Sequence, residues 1–406
     1  MTSISDNHAY KKILIILLLV LLFITQAATD IYIPALPIMA HEFGVTAHEM
    51  NMTITYYVYA QAALFLCVGQ ISDLIGRKKT IVFALMVTLI CTFLISESKS
   101  LNSILVLRVF QAFGSAGVYI VSRLILKEVY NKDELLHVTG LFMLGLVLSP
   151  ALAPVVGAFI LKYLDWRWVF RILGISIAVF WVACIIILKE TNHKIHENIR
   201  DFHITKLIHG YIHVLKDWLF IRYVLVVGGT FASFYAFITM SSYMYIQEYH
   251  ISEVYYSYLF TFIAFGYLIG NKIMSKLSKL KYNPHTIVGV GISIGFVVCL
   301  LSILAFFLTK QVVVFIALVT LSGWLARLAT AFINPPIQVG VLHAFPDYSS
   351  YAVGLLSSLQ YVFAALGSWS VGALDMKPSE NIIITMVIYT ILSMAVFKLI
   401  SKKDFV

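Results

Sequence analysis

Charged residues are scarce in this sequence. They make up 12% of the 406 residues, whereas 60% are hydrophobic, and soluble domains usually carry about 25% charged residues. A soluble protein of this composition would expose an apolar surface to water, so the sequence predicts an outer surface that faces lipid. Because the apolar residues are spread along the whole chain, a soluble domain of ordinary size is excluded.

Cysteines and metal-ligand clusters are equally sparse. The four cysteines stand singly in apolar runs without metal-ligand or redox-pair spacing, and we interpret them as packing residues. His209 and His213 are four residues apart and could share a helix face, but no carboxylate or cysteine completes a metal site. We therefore predict no metal and no cofactor. Since no clustered histidine and carboxylate set faces a cavity, we also predict that the chain is not an enzyme.

Twelve apolar segments follow one another along the chain. Each is close to the ~20 residues that cross a bilayer as a helix, and backbone in lipid must satisfy its own hydrogen bonds, which favours helices. The first segment is too long for a cleaved signal and carries Asp30 and two prolines. The predicted spans are 13–36, 52–72, 80–96, 103–126, 137–161, 168–188, 220–246, 256–274, 286–308, 312–337, 350–373 and 381–399.

The distribution of lysine and arginine predicts the orientation. With a cytoplasmic N-terminus, the loops on the cytoplasmic side carry 19 of these residues and the opposite loops carry 6. By the positive-inside rule, both termini are predicted to be cytoplasmic. The same loops account for the net charge of +9, because basic loops facing an anionic leaflet are common. We therefore predict no nucleic-acid partner.

The longest polar stretch divides the predicted helices into two groups of six. The sequence predicts an N-terminal six-helix bundle at 1–188 and a C-terminal six-helix bundle at 218–406. The cytoplasmic linker at 189–217 joins them, with an amphipathic interfacial helix near 204–217.

Four ionisable residues lie inside predicted spans, where a charge is costly and often functional. They are Asp30, Arg108, Arg123 and Arg327. Asp30 lies 17 residues past Ile13, and Arg108 lies 5 residues past Ser103 on a helix of opposite direction. A rise of ~1.5 Å per residue places both in the outer half of the bilayer. Burial favours a neutral carboxyl and a nearby cation favours the charged form, so water access would alter proton affinity.

This depth estimate predicts proton coupling at Asp30, with Arg108 tuning its affinity. The alternative is that Asp30 only caps a helix break before Pro34, or lies among the headgroups. Arg123 could simply extend to the inner interface.

Polar and aromatic residues on several helices could line a central cavity for an amphipathic small molecule. Arginines outnumber carboxylates inside the spans, which favours an anionic or zwitterionic substrate. The alternative is that packing or main-chain carbonyls satisfy these arginines. The predicted substrate-binding residues are Gln26, Asp30, Tyr57, Gln61, Arg108, Tyr119, Arg123, Phe234, Arg327, Gln338, Gln360 and Tyr361.

The sequence between the second and third segments, GQISDLIGRKK from Gly69 to Lys79, closely resembles the cytoplasmic loop signature of the major facilitator superfamily. Asp73 and Arg77 are four residues apart and can pair with each other or bind a neighbouring helix end. In that family the cluster acts as a latch of the cytoplasmic gate. The resemblance assigns this role to Gly69, Asp73, Gly76 and Arg77.

Two further motifs are similar to that family. The run from Leu105 to Gly117 resembles its fourth-helix motif, whose arginine is implicated in proton coupling and corresponds to Arg108. The run from Gly145 to Gly157 resembles the fifth-helix motif of proton-driven exporters, which bends that helix. The predicted residues of the bend are Pro150, Pro154 and Gly157.

The first segment, TDIYIPALP from Thr29 to Pro37, is similar to the bicyclomycin and chloramphenicol resistance branch of the drug/proton antiporters. The resemblance implies an all-α integral membrane protein with the major facilitator fold, twelve transmembrane helices in two pseudo-symmetric six-helix bundles. It further implies a proton-coupled antiporter that works by alternating access. Such a protein exports a small molecule, drug or secreted metabolite across the bacterial inner membrane, and functions as a monomer.

Two departures from the multidrug pattern shift the expected cargo. No acidic residue precedes Asp30 in the first segment, and Arg123 stands where an uncharged residue is expected. Both favour neutral, zwitterionic or anionic cargo. The alternative function is therefore a specific siderophore or organic-anion transporter on the same fold, in either direction. A channel is a third possibility.

Overall fold

The computed structural model describes residues 8–130, 132–192, 204–308, 311–345 and 348–405. Within those ranges the chain forms fourteen α-helices and no strands. The helices are α1 His8–Asp30, α2 Leu36–Phe43, α3 Ala47–Ile75, α4 Arg77–Ser96, α5 Leu101–Val129, α6 Lys132–Tyr163, α7 Trp166–Ile187, α8 Ile204–Leu215, α9 Trp218–Ser242, α10 Glu253–Lys279, α11 Pro284–Phe307, α12 Val312–Ala344, α13 Ser349–Ala373 and α14 Pro378–Phe397. Residues 193–203 of the predicted linker lie outside the described ranges, and the predicted helix that follows is α8.

The twelve predicted segments each coincide with one long helix, α1 and α2 together forming the first. Ten helical stretches of the described chain are long and apolar enough to cross a membrane. α6 contributes a shorter apolar helix, Leu148–Tyr163, and α10 carries Asn271, Lys272 and Lys276 along its second half. The prediction of an all-α protein with twelve long helices is confirmed.

Local sequence signals set the ends of several helices. Side-chain oxygens of Ser100, Asp165, Asp217, Ser252 and Asn283 accept hydrogen bonds from backbone N–H groups in the first turns of α5, α7, α9, α10 and α11. These N–H groups have no partner within their own helix, so such caps stabilise the starts of the helices.

The first predicted segment is interrupted. α1 ends at Asp30, residues 31 and 32 form a turn, and a short 3₁₀ helix at Ile33–Ala35 leads into α2. Pro34 lacks a backbone N–H and cannot continue an α-helix hydrogen-bond ladder. Asp30 is therefore the last residue of α1.

Contacts between Cα atoms group the chain into two units. Unit 1 comprises Met1–Ala35 and Tyr59–His203, and unit 2 comprises Leu36–Val58 and Ile204–Val406. In unit 1, α1 packs on α6, and α4 packs on α5 and α7. In unit 2, α9 packs on α13 and α14, and α12 packs on α10 and α11. The domain boundaries at 188 and 218 stay a prediction.

The packing of α6 on the end of α1 depends on Gly157. A Cβ atom added at this position would lie 1.8 Å from the carbonyl oxygen of Ile31, which is far inside any contact distance. Since the clashing atom belongs to the backbone, it cannot be relieved by a side-chain rotation. Gly157 therefore allows α6 to approach the helix break that follows Asp30.

Gly157→Ala is expected to destabilise the purified protein by about 1–3 kcal/mol, because overpacking forces shifts of the backbone. The measurement is the midpoint of thermal unfolding in detergent, which should fall. Gly289→Ala is the matched control, since its added Cβ would meet only ring atoms of Phe397 at 3.7 Å. Equal unfolding midpoints of Gly157→Ala and Gly289→Ala would contradict the conclusion that the packing of α6 on α1 requires Gly157.

Candidate functional site

Asp30 is buried at the end of α1 and is only 8% exposed. The hydroxyl of Ser149 on α6 donates a hydrogen bond of 2.7 Å to its Oδ2 atom. The C-terminus of a helix carries a partial negative charge, so the helix itself does not stabilise a carboxylate there. The described geometry thus places this carboxyl between helices α1 and α6, inside unit 1.

Arg108 on α5 approaches the same helix end and is fully buried. Its Nη1 atom donates to the carbonyl oxygen of Ala28 at 2.8 Å and to Oε1 of Gln111 at 2.6 Å. Its guanidinium carbon lies 4.4 Å from the ring centroid of Tyr32. Arg108 therefore contacts residues two positions before and two positions after Asp30, and it places a positive charge at the negative end of the α1 dipole.

The neighbours of Arg108 form a hydrogen-bonded chain across unit 1. Gln111 is fully buried, and its Nε2 atom donates to the hydroxyl oxygen of Thr92 on α4 at 2.8 Å. Buried polar groups need such partners because their desolvation is costly. Gln111 and Thr92 thereby fix the position of the guanidinium relative to α1.

A second group of predicted residues in unit 1 lies one helical turn or more from Asp30. Gln61 on α3 donates to Gln26 on α1 at 3.4 Å. One turn further along α3, the ring of Phe65 packs 5.4 Å from the ring of Tyr119. Arg123 donates to the Tyr119 hydroxyl at 3.4 Å. These residues extend a polar and aromatic face away from Asp30.

Arg327 of α12 occupies the centre of the predicted site in unit 2. Its guanidinium carbon lies 4.1 Å from the ring centroid of Phe234 on α9 and 4.9 Å from that of Tyr267 on α10. Such distances are typical of cation–π contacts, which are strengthened when the cation is desolvated. Phe234 is buried, whereas Arg327 and Tyr267 are partly buried.

Two glycines explain how Tyr267 reaches Arg327. Cβ atoms added at Gly266 and Gly270 would lie 2.4 Å and 2.8 Å from the carbonyl oxygens of Trp324 and Leu328. The two glycines therefore let the backbones of α10 and α12 approach closely, as small residues do in membrane helix pairs. This close approach brings Tyr267, which lies between the two glycines, to Arg327.

The remaining predicted residues of unit 2 fall into two groups. Tyr235 links Phe234 to Tyr361, with ring centroids 6.4 Å apart on each side. Oδ1 of Asn334 accepts hydrogen bonds from Gln360 at 2.8 Å and from Gln338 at 3.4 Å. The rings lie on α9 and α13, and the amides lie on α12 and α13.

The predicted Tyr57 lies one turn before Gln61 on α3, is fully buried and belongs to unit 2. Residue-type reasoning alone missed several partners in these clusters. They are Tyr32, Thr92, Gln111, Ser149, Tyr235, Tyr267 and Asn334. Tyr32, Gln111 and Ser149 lie within the first-segment, fourth-helix and fifth-helix motifs, which were usable signals. The others are common residues of membrane helices.

The cytoplasmic loop signature forms an ion cluster around Arg77. Its Nη2 atom lies 2.6 Å from Asp73 and 2.8 Å from Glu128, and its Nη1 atom donates to the hydroxyl of Ser72 at 2.5 Å. The Arg77 side chain is 6% exposed, while those of Asp73 and Glu128 are 43% and 27% exposed. Gly76 has a φ of 101°, a region that favours glycine, and it forms the turn between α3 and α4.

Glu190 joins this cluster from the segment after α7. Its carboxylate accepts hydrogen bonds from the backbone N–H groups of Arg77 at 2.9 Å and Lys78 at 3.1 Å. These are the first residues of α4, whose N-cap Gly76 offers no side-chain oxygen. Glu190 therefore caps α4 from a distant part of the chain and places a negative charge at its positive end.

The clusters differ in the chemistry they can perform. The Asp30 cluster holds one carboxyl that can bind or release a proton. The Arg327 cluster offers a cation and aromatic surfaces, and the Arg77 cluster is a network of ion pairs. Across the part of the chain that the structure describes, no three His, Cys, Asp or Glu residues form a group that could hold a metal ion.

Comparisons with known proteins find relatives among resistance proteins. A bicyclomycin resistance protein homolog from Haemophilus influenzae is 22% identical over 399 residues, which cover 97% of both chains. The chloramphenicol resistance protein CraA of Acinetobacter baumannii is 24% identical over 273 residues, 66% of this chain and 65% of that protein.

The fold is similar to that of solved structures. A bacterial homolog of the human lysosomal transporter Spinster, in an inward-facing and unoccupied conformation, superposes with a TM-score of 0.76. It is 14% identical, and 98% of each chain is covered. The sequence model of the Major Facilitator Superfamily matches residues 18–368. The chain is a multi-pass membrane transporter with the major facilitator fold, and it belongs to the Major Facilitator Superfamily.

Proposed function

We propose that this protein is a proton-coupled antiporter that exports a small molecule from the bacterial cytoplasm by alternating access. Its location would be the inner membrane, with both termini in the cytoplasm. The observation that carries the proposal is Asp30, a buried carboxyl on the interrupted first membrane segment, together with the buried cation Arg108, which donates to the carbonyl of Ala28 two residues before it. The names of the curated relatives, which include bicyclomycin and chloramphenicol resistance proteins, support export of drug-like molecules.

The proton would be carried on the Asp30 carboxyl. The charged form is supported by the Ser149 hydroxyl that donates to Oδ2 and by the positive charge of Arg108, and the neutral form is supported by burial. Because opposite influences act on one group, water entering from either side would alter the balance between the two forms. Proton release and substrate binding can then occur in the same conformational change between the two access states.

Arg108 would act without changing its own charge, since a guanidinium stays protonated. It holds the end of α1 through the Ala28 carbonyl and is itself held by Gln111. A shift of α1 relative to α5 would move Asp30 away from or towards this fixed cation. Gln26, Gln61, Tyr119 and Arg123 would contribute substrate contacts in unit 1.

The latch at the cytoplasmic side is a second part of the proposal. The ion pairs of Arg77 with Asp73 and Glu128 would break as the cytoplasmic side opens and form again as it closes. Pro150, Pro154 and Gly157 would shape α6 beside the Asp30 carboxyl.

Reconstitution tests the proposed coupling. Purified protein is placed in liposomes that contain a pH-sensitive dye, and chloramphenicol or bicyclomycin is added without any imposed gradient. We expect proton movement that depends on the added compound and follows its transport. Transport of either compound with no accompanying proton movement would overturn the antiport proposal.

The Arg327 cluster in unit 2 favours a second candidate function, that of an organic-anion or siderophore transporter on the same fold. Arg327 lies among aromatic residues in a membrane helix, a position that suits a negatively charged cargo group.

A further inference from the structure

The spanning helices of unit 2 differ from those of unit 1 in their charges. No aspartate or glutamate occurs in 218–247, in 254–346 or in 348–374. Arg327 nevertheless stands near the middle of α12, which runs from Val312 to Ala344. A cation at this depth is costly, and such residues commonly mark a substrate pathway.

The surroundings of Arg327 are suited to holding a cation in place while it binds an anion. The ring of Phe234 lies 4.1 Å from the guanidinium carbon and the ring of Tyr267 lies 4.9 Å from it. Aromatic rings stack on the face of a guanidinium, whereas carboxylates bind along its N–H edge. The two kinds of contact are therefore compatible, and the rings limit the rotamers that the arginine can adopt.

The same face of α12 continues as a neutral polar surface. Asn334 and Gln338 follow Arg327 by seven and eleven residues, close to two and three helical turns, so all three lie on one face. Asn334 is also bonded to Gln360 of α13, which is followed in the sequence by Tyr361. Amides and aromatic rings beside one cation are the groups that bind an aromatic or amphipathic carboxylate.

We propose that unit 2 carries an anion-recognition site in which Arg327 binds a carboxylate or similar anionic group of the cargo. Phe234 and Tyr267 hold the guanidinium, and Tyr235 and Tyr361 provide aromatic surface for the cargo's apolar part. This inference rests on the proposed transport function, because it names the class of substrate that the transporter would carry. The binding preference itself does not depend on proton coupling.

Three compounds that share one ring system but differ in charge test the site. They are 2-naphthoate, 2-naphthamide and 2-naphthylmethylammonium, titrated into purified protein in detergent without a pH gradient. We expect naphthoate to bind at least about tenfold more tightly than the other two, because a charge-assisted hydrogen bond is added. Equal binding of the three compounds by the wild-type protein would overturn the proposal.

Variants assign the preference to Arg327. Arg327→Gln should lose the naphthoate preference and keep its affinity for naphthamide. Arg222→Gln is the control, because it removes one positive charge from unit 2 at a residue that donates to the Leu399 carbonyl and not to the cluster. A naphthoate preference that survives in Arg327→Gln would overturn the proposal.

A second variant covers the case in which Arg327→Gln does not fold. Tyr267→Leu retains the charge and removes one of the rings that hold it. We expect naphthoate binding to weaken several-fold while naphthamide binding is unchanged, and equal effects on both compounds would overturn the proposal. A preference for naphthoate without proton movement in liposomes would contradict the antiport proposal alone. Proton movement without a preference for naphthoate would contradict the anion site alone.

Discussion

Asp30→Asn is expected to abolish concentration of substrate by a pH gradient while leaving substrate exchange intact. Asparagine keeps the size of the side chain and can still accept a hydrogen bond from Ser149, but it cannot bind and release a proton. The variant should therefore behave as an equilibrating carrier. The measurement is the steady-state concentration ratio of substrate across liposomes with an imposed pH gradient.

The size of the effect follows from thermodynamics. For one proton exchanged per substrate molecule, with the membrane potential held at zero, a gradient of one pH unit stores about 1.4 kcal/mol, and this sustains a concentration ratio of about ten. Without a proton on the carrier, the same gradient sustains a ratio of one. The ratio should therefore fall from about tenfold per pH unit to none, at an unchanged rate of substrate counterflow.

Two variants separate this role from a general loss of charge. Asp30→Glu retains a titratable carboxyl and should keep part of the gradient-driven ratio. Glu97→Gln removes an exposed carboxyl at the end of α4, outside the cluster, and should leave the ratio unchanged. An Asp30→Asn protein that still concentrates substrate would show that the proton is carried elsewhere.

The membrane helices could be predicted because bilayer thickness sets the length of apolar runs. Several helices nevertheless extend further than the predicted spans. The fourth segment was predicted at 103–126, and α5 runs from Leu101 to Val129, because polar residues such as Lys127 and Glu128 continue a helix beyond the hydrocarbon. The helix break after Asp30 is only an alternative interpretation of the sequence, because apolar residues continue on both sides of it.

The proximity of Arg108 to the first segment could be anticipated from depth alone. Counting residues placed Arg108 and Asp30 at similar depths on antiparallel helices, and Arg108 bonds to Ala28. The roles of the two residues stay predictions. Ser149 could not be singled out, because hydroxyl residues are frequent in membrane helices and only the packing of α6 on α1 selects this one.

The long-range partners of Arg77 could not be inferred from local spacing. Asp73 and Arg77 are four residues apart and were predicted to pair, and their side chains do. Glu128 and Glu190 come from the end of α5 and the segment after α7, where isolated charges ordinarily face solvent. Only the folded chain brings them to the start of α4.

Arg77→Gln is expected to lower the stability of the purified protein. The side chain is 6% exposed and bonds to two carboxylates and one hydroxyl. Its removal leaves Asp73 and Glu128 close together without a cation. Breaking a fully buried pair costs about 3–5 kcal/mol. Since both carboxylates here are partly exposed and can recover some hydration, we expect about 2 kcal/mol, seen as a lower thermal midpoint.

A double variant tests whether the loss comes from the two uncompensated carboxylates. Arg77→Gln combined with Glu128→Gln removes the cation and one acid together, so its midpoint should be higher than the sum of the single changes predicts. Additive losses would contradict this reading of the cluster.

The exposed pair of Arg171 and Glu97 provides the matched comparison. The hydrogen bond from Arg171 holds the pKa of Glu97 below its usual range, yet both side chains remain accessible to water and salt. Solvent screens such pairs and gives them little net stability, so Arg171→Gln should leave the midpoint unchanged. Equal losses in Arg171→Gln and Arg77→Gln would mean that the loss comes from charge removal alone and not from the burial of Arg77 in its ion cluster.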